Sequence, residues 1–133
     1  MLTSIQVKKA IEKYFDTWNS GNRQEWIACW AKDTILEDPV GGPKKGGIQS
    51  IEETWDRTIK TGGDWKLEPV LVRISGNEAG LHIKNINTRD NYVNESIEFW
   101  RFNDDCKINS CRTFFTKDGV LDSFFIGENV IAG

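Results

Sequence analysis

A single histidine, His82, serves the whole chain, and its scarcity removes several chemistries at once. Two-histidine metal sites such as H-E-x-x-H cannot form. A Ser-His-Asp triad would have to use His82, which lies in a strand-like stretch with no nucleophile elbow nearby. It reads as a residue of a pocket wall or sheet face. Cysteine is also sparse. Cys29, Cys106 and Cys111 are odd in number and form no C-x-x-C pair, so they read as reduced, structural thiols of a cytoplasmic protein. No apolar run is long enough to span a bilayer. The start, Met1 to Lys9, has no continuous apolar stretch of the signal-peptide kind. Without such a leader the Asn94-Glu95-Ser96 sequon carries no meaning. An excess of positive charge is lacking too: 17 Lys and Arg stand against 20 Asp and Glu, for a net charge of −3. The basic residues are scattered, which excludes a nucleic-acid or anionic-membrane face. The loop Gly41-Gly42-Pro43-Lys44-Lys45-Gly46-Gly47 lacks Walker spacing and reads as a flexible connector. Nothing calls for a metal, nucleotide or other cofactor.

What remains is a chain of 133 residues, 38% hydrophobic and 28% charged, the size and composition of one globular domain. It holds six Trp and seven Phe, enough aromatic area for a core and for a pocket that takes a flat apolar ligand. Val7, Ile11, Tyr14, Phe15 and Trp18 recur at helical spacing, with Thr3 or Ser4 as cap and Gly21 as stop. A shorter helix carrying Trp26, Cys29 and Trp30 follows. Thr34 to Glu37 is a short strand, closed by Asp38-Pro39 because a residue before proline avoids helix. A third helix has Ile48, Ile51, Trp55 and Ile59 on one stripe, and Gly62-Gly63 stops it. From Trp65 the period changes to two. Strands are expected near 65–74, 80–89, 92–103 and 107–116, with turns at Asn77-Glu78, Asp90-Asn91 and Asn103 to Asp105. The pattern predicts an α+β fold, with three N-terminal helices packed in a curved, mostly antiparallel sheet. The segment 117–133 is too apolar for a free end. It adds a strand, covers the pocket mouth or packs on a partner.

Three residues could carry chemistry. Asp38 sits at the end of an apolar strand, flanked by Ile35 and Val40, with glycine-rich loop beyond it. An aspartate enclosed there is a usable base, and the same residue also fits an Asx-type turn before proline. Tyr14 lies on the apolar stripe of the first helix, where a buried hydroxyl needs a partner that a ligand oxygen could supply; it also fits a plain core tyrosine. Alternation puts Glu98 on one face with Trp100 and Phe102. If that face is inward, desolvation raises the pKa of Glu98 and makes it a neutral hydrogen-bond donor. If Ile97, Phe99 and Arg101 face inward instead, Glu98 stands in water. Both faces are apolar enough to leave the choice open.

In this order, these residues resemble ketosteroid isomerase, the steroid delta-isomerase family within the NTF2-like and SnoaL-like superfamily. The resemblance runs from about residue 5 to 116. It rests on Ile11-Glu12-Lys13-Tyr14 leading to Asn19-Ser20-Gly21, and on Trp30-Ala31-Lys32-Asp33 leading into Glu37-Asp38-Pro39-Val40-Gly41. Asn77-Glu78-Ala79, Arg101-Phe102-Asn103, Lys107, Ser110, Arg112 and Phe115 add to it. The resemblance implies a cone-shaped NTF2-like fold, a homodimer formed through the exposed sheet face where Ile97 and Phe99 lie, and no cofactor. It implies allylic proton transfer on an apolar, steroid-like ketone. Asp38 matches the general base and Tyr14 the oxyanion-hole tyrosine. Glu98 falls where the family has a protonated aspartate, and the neutrality of that acid comes with the resemblance. Trp30, Trp55, Trp100 and Phe115 would line the substrate pocket.

The chain also departs from that family. Glu98 is one methylene longer than aspartate, so it must meet the oxygen differently or fold back. Trp30 and Trp55 stand where many members support the oxyanion tyrosine, and an indole N–H there could donate to Tyr14. The same fold also hosts SnoaL-like polyketide cyclases or dehydratases and non-enzymatic binders of small molecules.

Overall fold

In the computed structural model, residues 1–60, 64–115, 123, 124 and 126 are described. Helix α1 spans Ser4–Asn19. Thr3 caps it: its hydroxyl accepts the Gln6 N–H at 3.1 Å, and the Gln6 amide oxygen accepts the Thr3 N–H at 2.8 Å. This reciprocal box satisfies two N–H groups that the helix start would otherwise leave orphaned. Val7, Ile11, Tyr14 and Phe15 form the buried stripe. Gly21, at φ +73°, takes the left-handed conformation that ends the helix. The short α2 spans Arg23–Ile27, with Asn22 as its cap.

Strand β1 spans Trp30–Glu37 and β2 spans Lys44–Gly46, followed by α3 at Ile48–Lys60. Four strands follow: β3 at Trp65–Ser75, β4 at Glu78–Asn87, β5 at Tyr92–Phe102 and β6 at Ile108–Phe114. They form one curved six-stranded sheet in the order β2-β1-β6-β5-β4-β3. All pairings are antiparallel except β1 with β6, which is parallel. Register shifts put extra residues in β1, β3 and β6 and mark bulges, the device that bends a strand and lets a sheet curl.

The sheet's concave face carries the core. Along β5, Ser96, Glu98, Trp100 and Phe102 are buried while Ile97, Phe99 and Arg101 are exposed, so the inward face is the one with Glu98. Helix α1 is tied to the edge strand β3. The Asn19 side chain exchanges two 2.9 Å bonds with the Leu67 backbone, and the Trp18 indole donates to the Trp65 carbonyl at 3.0 Å. Full burial of each large aromatic is worth about 1.5–3 kcal/mol, and eight aromatic side chains meet in one continuous cluster on this face.

The structure departs from the sequence expectation in four places. Trp30 is not helical: it opens β1, opposite Ile108. The expected flexible connector contains β2, which pairs with Ile35 to Glu37. The third helix follows β1 and β2, so the helices are not one uninterrupted N-terminal group. Its stripe stops early, because Ile59 is 60% exposed. The expected stop at Gly62-Gly63 and most of segment 117–133 lie outside the described residues. Among the described residues no helix is long and apolar enough to cross a membrane.

Candidate active site

A cavity of about 240 Å³ opens between the helices and the concave sheet face. Tyr14, Asp38 and Glu98 all line it, together with Trp30 and Phe115. A larger groove of about 480 Å³ runs between α1 and β3, past Ile11, Phe15 and Val72. None of the three chemical candidates reaches that groove, so the smaller cavity is the candidate site.

Glu98 is buried at the cavity floor. Its side chain lies along its own strand, held from both sides. Trp100 Nε1 donates to Oε1 at 2.9 Å, and Ser96 Oγ donates to Oε2 at 3.1 Å. Cys111 Sγ adds a weak contact to Oε1 at 3.6 Å. Side chains two apart on a strand share a face, and the extra methylene lets the carboxyl lie between its neighbours at 96 and 100. Burial drives the Glu98 pKa above its ordinary 4.5. The Trp100 bond opposes that shift, the negative field of Asp38 adds to it, and the Ser96 and Cys111 bonds oppose it.

Tyr14 is also buried, packed against Trp100 with ring centroids 4.4 Å apart. Its phenol is pushed well above 10.0, first by burial and then by the fields of Glu98 and Cys111, so it is a donor across the neutral range. Among the described residues nothing hydrogen-bonds its hydroxyl. Trp30 contacts Tyr14 through its ring, at 6.0 Å between centroids, and its N–H finds no partner among the described residues. Support of Tyr14 by an indole N–H is therefore absent: the contact is aromatic. The Cys111 thiol is held well above 9.0 by burial and by Glu98, which keeps it a neutral lining group.

Asp38 differs from both. It is exposed, at the rim of the cavity, one residue beyond the end of β1. The expectation that it is enclosed among apolar groups is corrected here. The strand ends at the sheet's margin, and the chain leaves through a cis Asp38-Pro39 bond and Gly41 at φ +95°. The backbone still fixes its position. Glu37 pairs with Arg112 in β6, and the Val40 N–H donates to the Thr113 carbonyl at 2.8 Å. Thr113 pairs in turn with Glu98. Asp38 thus stands level with Glu98, two strands across, a backbone separation of about 10 Å.

Trp55 and Trp100 do not line the cavity. Trp55 packs behind it on Trp18 and Trp26, with centroids at 4.9 and 5.5 Å. Trp100 sits behind Glu98 as its hydrogen-bond donor. The sequence reading missed Asn85, Asn94, Ser96, Cys111 and Thr113, all of which line the cavity. Strand parity was the available signal: once Glu98 faces inward, Asn94 and Ser96 do too. His82 points away from the site and pairs with Glu95 at 2.8 Å. Among the described residues no cluster of His, Cys, Asp and Glu is placed to hold a metal.

Residues 11–111 match the SnoaL-like domain family. The chain is 32% identical over 120 residues to a steroid delta-isomerase of Nocardioides simplex, a match covering 89% of this chain and 96% of that protein. Among solved structures, SalBIII resembles it with a TM-score of 0.77 at 18% identity, over 87% of this chain and 95% of that one. SalBIII is described as an epoxide hydrolase/cyclase-like enzyme in pyran ring formation in polyether salinomycin. RV0760c of Mycobacterium tuberculosis gives a TM-score of 0.75 at 16% identity, over 85% and 96% of the two chains. At these identities the two structures speak for the fold alone.

Proposed function

The chain belongs to the SnoaL-like (NTF2-like) domain family, and on that premise we propose that it is a cofactor-free isomerase moving a double bond in an apolar, steroid-like ketone. The observation that carries the reading is the meeting of Tyr14, Asp38 and Glu98 on one cavity, from three distant parts of the chain. The name of the Nocardioides relative, a steroid delta-isomerase, supports the same chemistry.

Asp38, as carboxylate, removes a proton from the carbon between ketone and alkene. The electron pair moves into a dienolate, and negative charge develops on the former ketone oxygen. Tyr14 and neutral Glu98 donate hydrogen bonds to that oxygen, each worth about 3–4 kcal/mol when aimed at the developing charge. Protonated Asp38 then returns the proton two carbons away, leaving a conjugated enone and a restored carboxylate. Trp100 Nε1 is a donor only, so Oε1 of Glu98 must accept; the acid proton belongs on Oε2. Burial suits the donors, because their bonds strengthen where water is excluded.

The reading extends to the whole chain as one domain in the cytoplasm, where its free thiols Cys29, Cys106 and Cys111 would stay reduced. It extends to a homodimer through the outer sheet face. Ile97, Phe99 and Phe114 are 52%, 49% and 42% exposed there, an apolar patch that a second copy would cover.

The test is isomerisation of a β,γ-unsaturated 3-ketosteroid, followed by the rise in conjugated-enone absorbance, for wild type beside Asp38→Asn. Turnover lost on that substitution is the expected result. A folded wild type with no turnover above the uncatalysed rate would end the reading and favour a cyclase or a binding protein on the same fold.

A further inference from the structure

The cavity has a second polar end that the three chemical residues do not account for. Asn85 on β4 and Asn94 on β5 are directly paired across the two strands, and both side chains line the cavity. Directly opposed residues place their side chains about 5 Å apart, within reach of one ligand atom. The Asn85 amide nitrogen donates to Ser96 Oγ at 3.2 Å, and its oxygen makes no bond among the described residues. Asn94 is half-buried, and its side chain makes no hydrogen bond among the described residues. The pair therefore offers an acceptor from Asn85 and both a donor and an acceptor from Asn94.

Its place is set by register. Asn94 and Glu98 lie on the same face of β5 four residues apart, a backbone separation of about 13 Å. No Lys, Arg or His is found among the described lining residues, whereas Asp38 and Glu98 supply carboxyl groups. A carboxylate or phosphate ligand would meet no countercharge and two acids. A hydroxyl, which donates and accepts at once, matches the amide pair.

We infer that Asn85 and Asn94 form a recognition subsite for a hydroxyl group on a neutral ligand, with Asn94 as its far member along β5 and Asn85 as the near member that Ser96 joins to Glu98. The ligand class is a rigid, uncharged ring system with a ketone at one end and a hydroxyl about a steroid's length away. The placement of the ketone end rests on the isomerase reading. The sequon asparagine thus faces a ligand, not solvent.

Binding of two conjugated 3-ketosteroids that differ only at the far end tests this: androst-4-en-3-one and its 17β-hydroxyl derivative, titrated by quenching of tryptophan fluorescence. The hydroxylated compound is expected to bind wild type about tenfold more tightly, the gain of one to two neutral hydrogen bonds. Asn94→Leu should bring the two compounds to within about twofold, and Asn94→Ser should keep part of the preference. Equal affinity in wild type, tighter binding of the deoxy compound, or a preference that survives in Asn94→Leu overturns the inference, as does absence of binding by both. The wild-type comparison depends on no variant's folding. Turnover of the β,γ-unsaturated counterparts separates the two readings. Preference without isomerisation leaves the subsite standing and removes the isomerase, and isomerisation without preference does the reverse.

Discussion

The rim and the floor of the cavity are built on opposite principles. At the floor, Glu98 and Tyr14 are buried, Glu98 is held by three donors, and both groups are pushed toward their neutral forms. At the rim, Asp38 is exposed and is placed by backbone pairing through Glu37 and Val40. One fold sets a buried carboxyl and an exposed one within two strand spacings of each other, and in the proposed reaction the same functional group takes opposite roles by location.

The sharpest break in that contrast is Asp38→Asn. It should lower kcat for enone formation by about 10³–10⁴-fold, while thermal unfolding stays within about 0.5 kcal/mol of wild type, because an exposed side chain contributes little to stability. A large loss of stability would show that the rim residue is structural. Next comes Tyr14→Phe, expected to cost about 10²–10³-fold in kcat with KM little changed, since the bond forms chiefly in the transition state. An unchanged kcat would remove the phenol from the reaction.

Glu98 tells donor from charge. Glu98→Gln keeps a donor and should keep part of the activity, falling about tenfold or less. Glu98→Leu should fall about 10²-fold and lose about 1–3 kcal/mol of stability, because the Trp100 N–H and Ser96 O–H are left buried without an acceptor. Equal turnover in the two variants would exclude Glu98 from the chemistry.

A pH series refines the floor further. The raised pKa of Glu98 exists only in the folded state. Between its ordinary 4.5 and that raised value, the native protein holds a proton that the unfolded chain has released. Stability from this group therefore falls as pH rises through the window and is constant above it. Urea unfolding across that range should show the stability of wild type relative to Glu98→Gln falling as pH rises. The smallest effect belongs behind the cavity: Trp55→Phe should cost about 1–2 kcal/mol of stability through lost packing on Trp18 and Trp26, with kcat within about twofold.

Much of this contrast was legible in the residues, and the unread parts share a cause. Helix α1 and the four long strands follow from local periodicity and capping, which act over a few residues. Trp30 misled because its i,i+4 spacing from Trp26 suits a helix; pairing with Ile108, nearly eighty residues later, draws it into β1. Lys44 to Gly46 has no strand propensity of its own and becomes β2 by pairing with Ile35 to Glu37. The inward face of β5 was undecided because Ile97 and Phe99 are as apolar as the residues they alternate with, and only helix packing on the other side settles it. The exposure of Asp38 could not be read from Ile35 and Val40 either, since local hydrophobicity does not show where a sheet ends.

The order of the strands has a last consequence, for the chain as it is being made. Strand β6 is the final strand described, yet it lies between β1 and β5 in the sheet. Until residues 108–114 have emerged from the ribosome, the sheet exists as two disconnected pieces: β1 with β2, and β5 with β4 and β3. Asp38 follows the first piece and Glu98 belongs to the second. A nascent chain stopped before Ile108 carries Tyr14, Asp38 and Glu98 but lacks the strand that sets Asp38 level with Glu98.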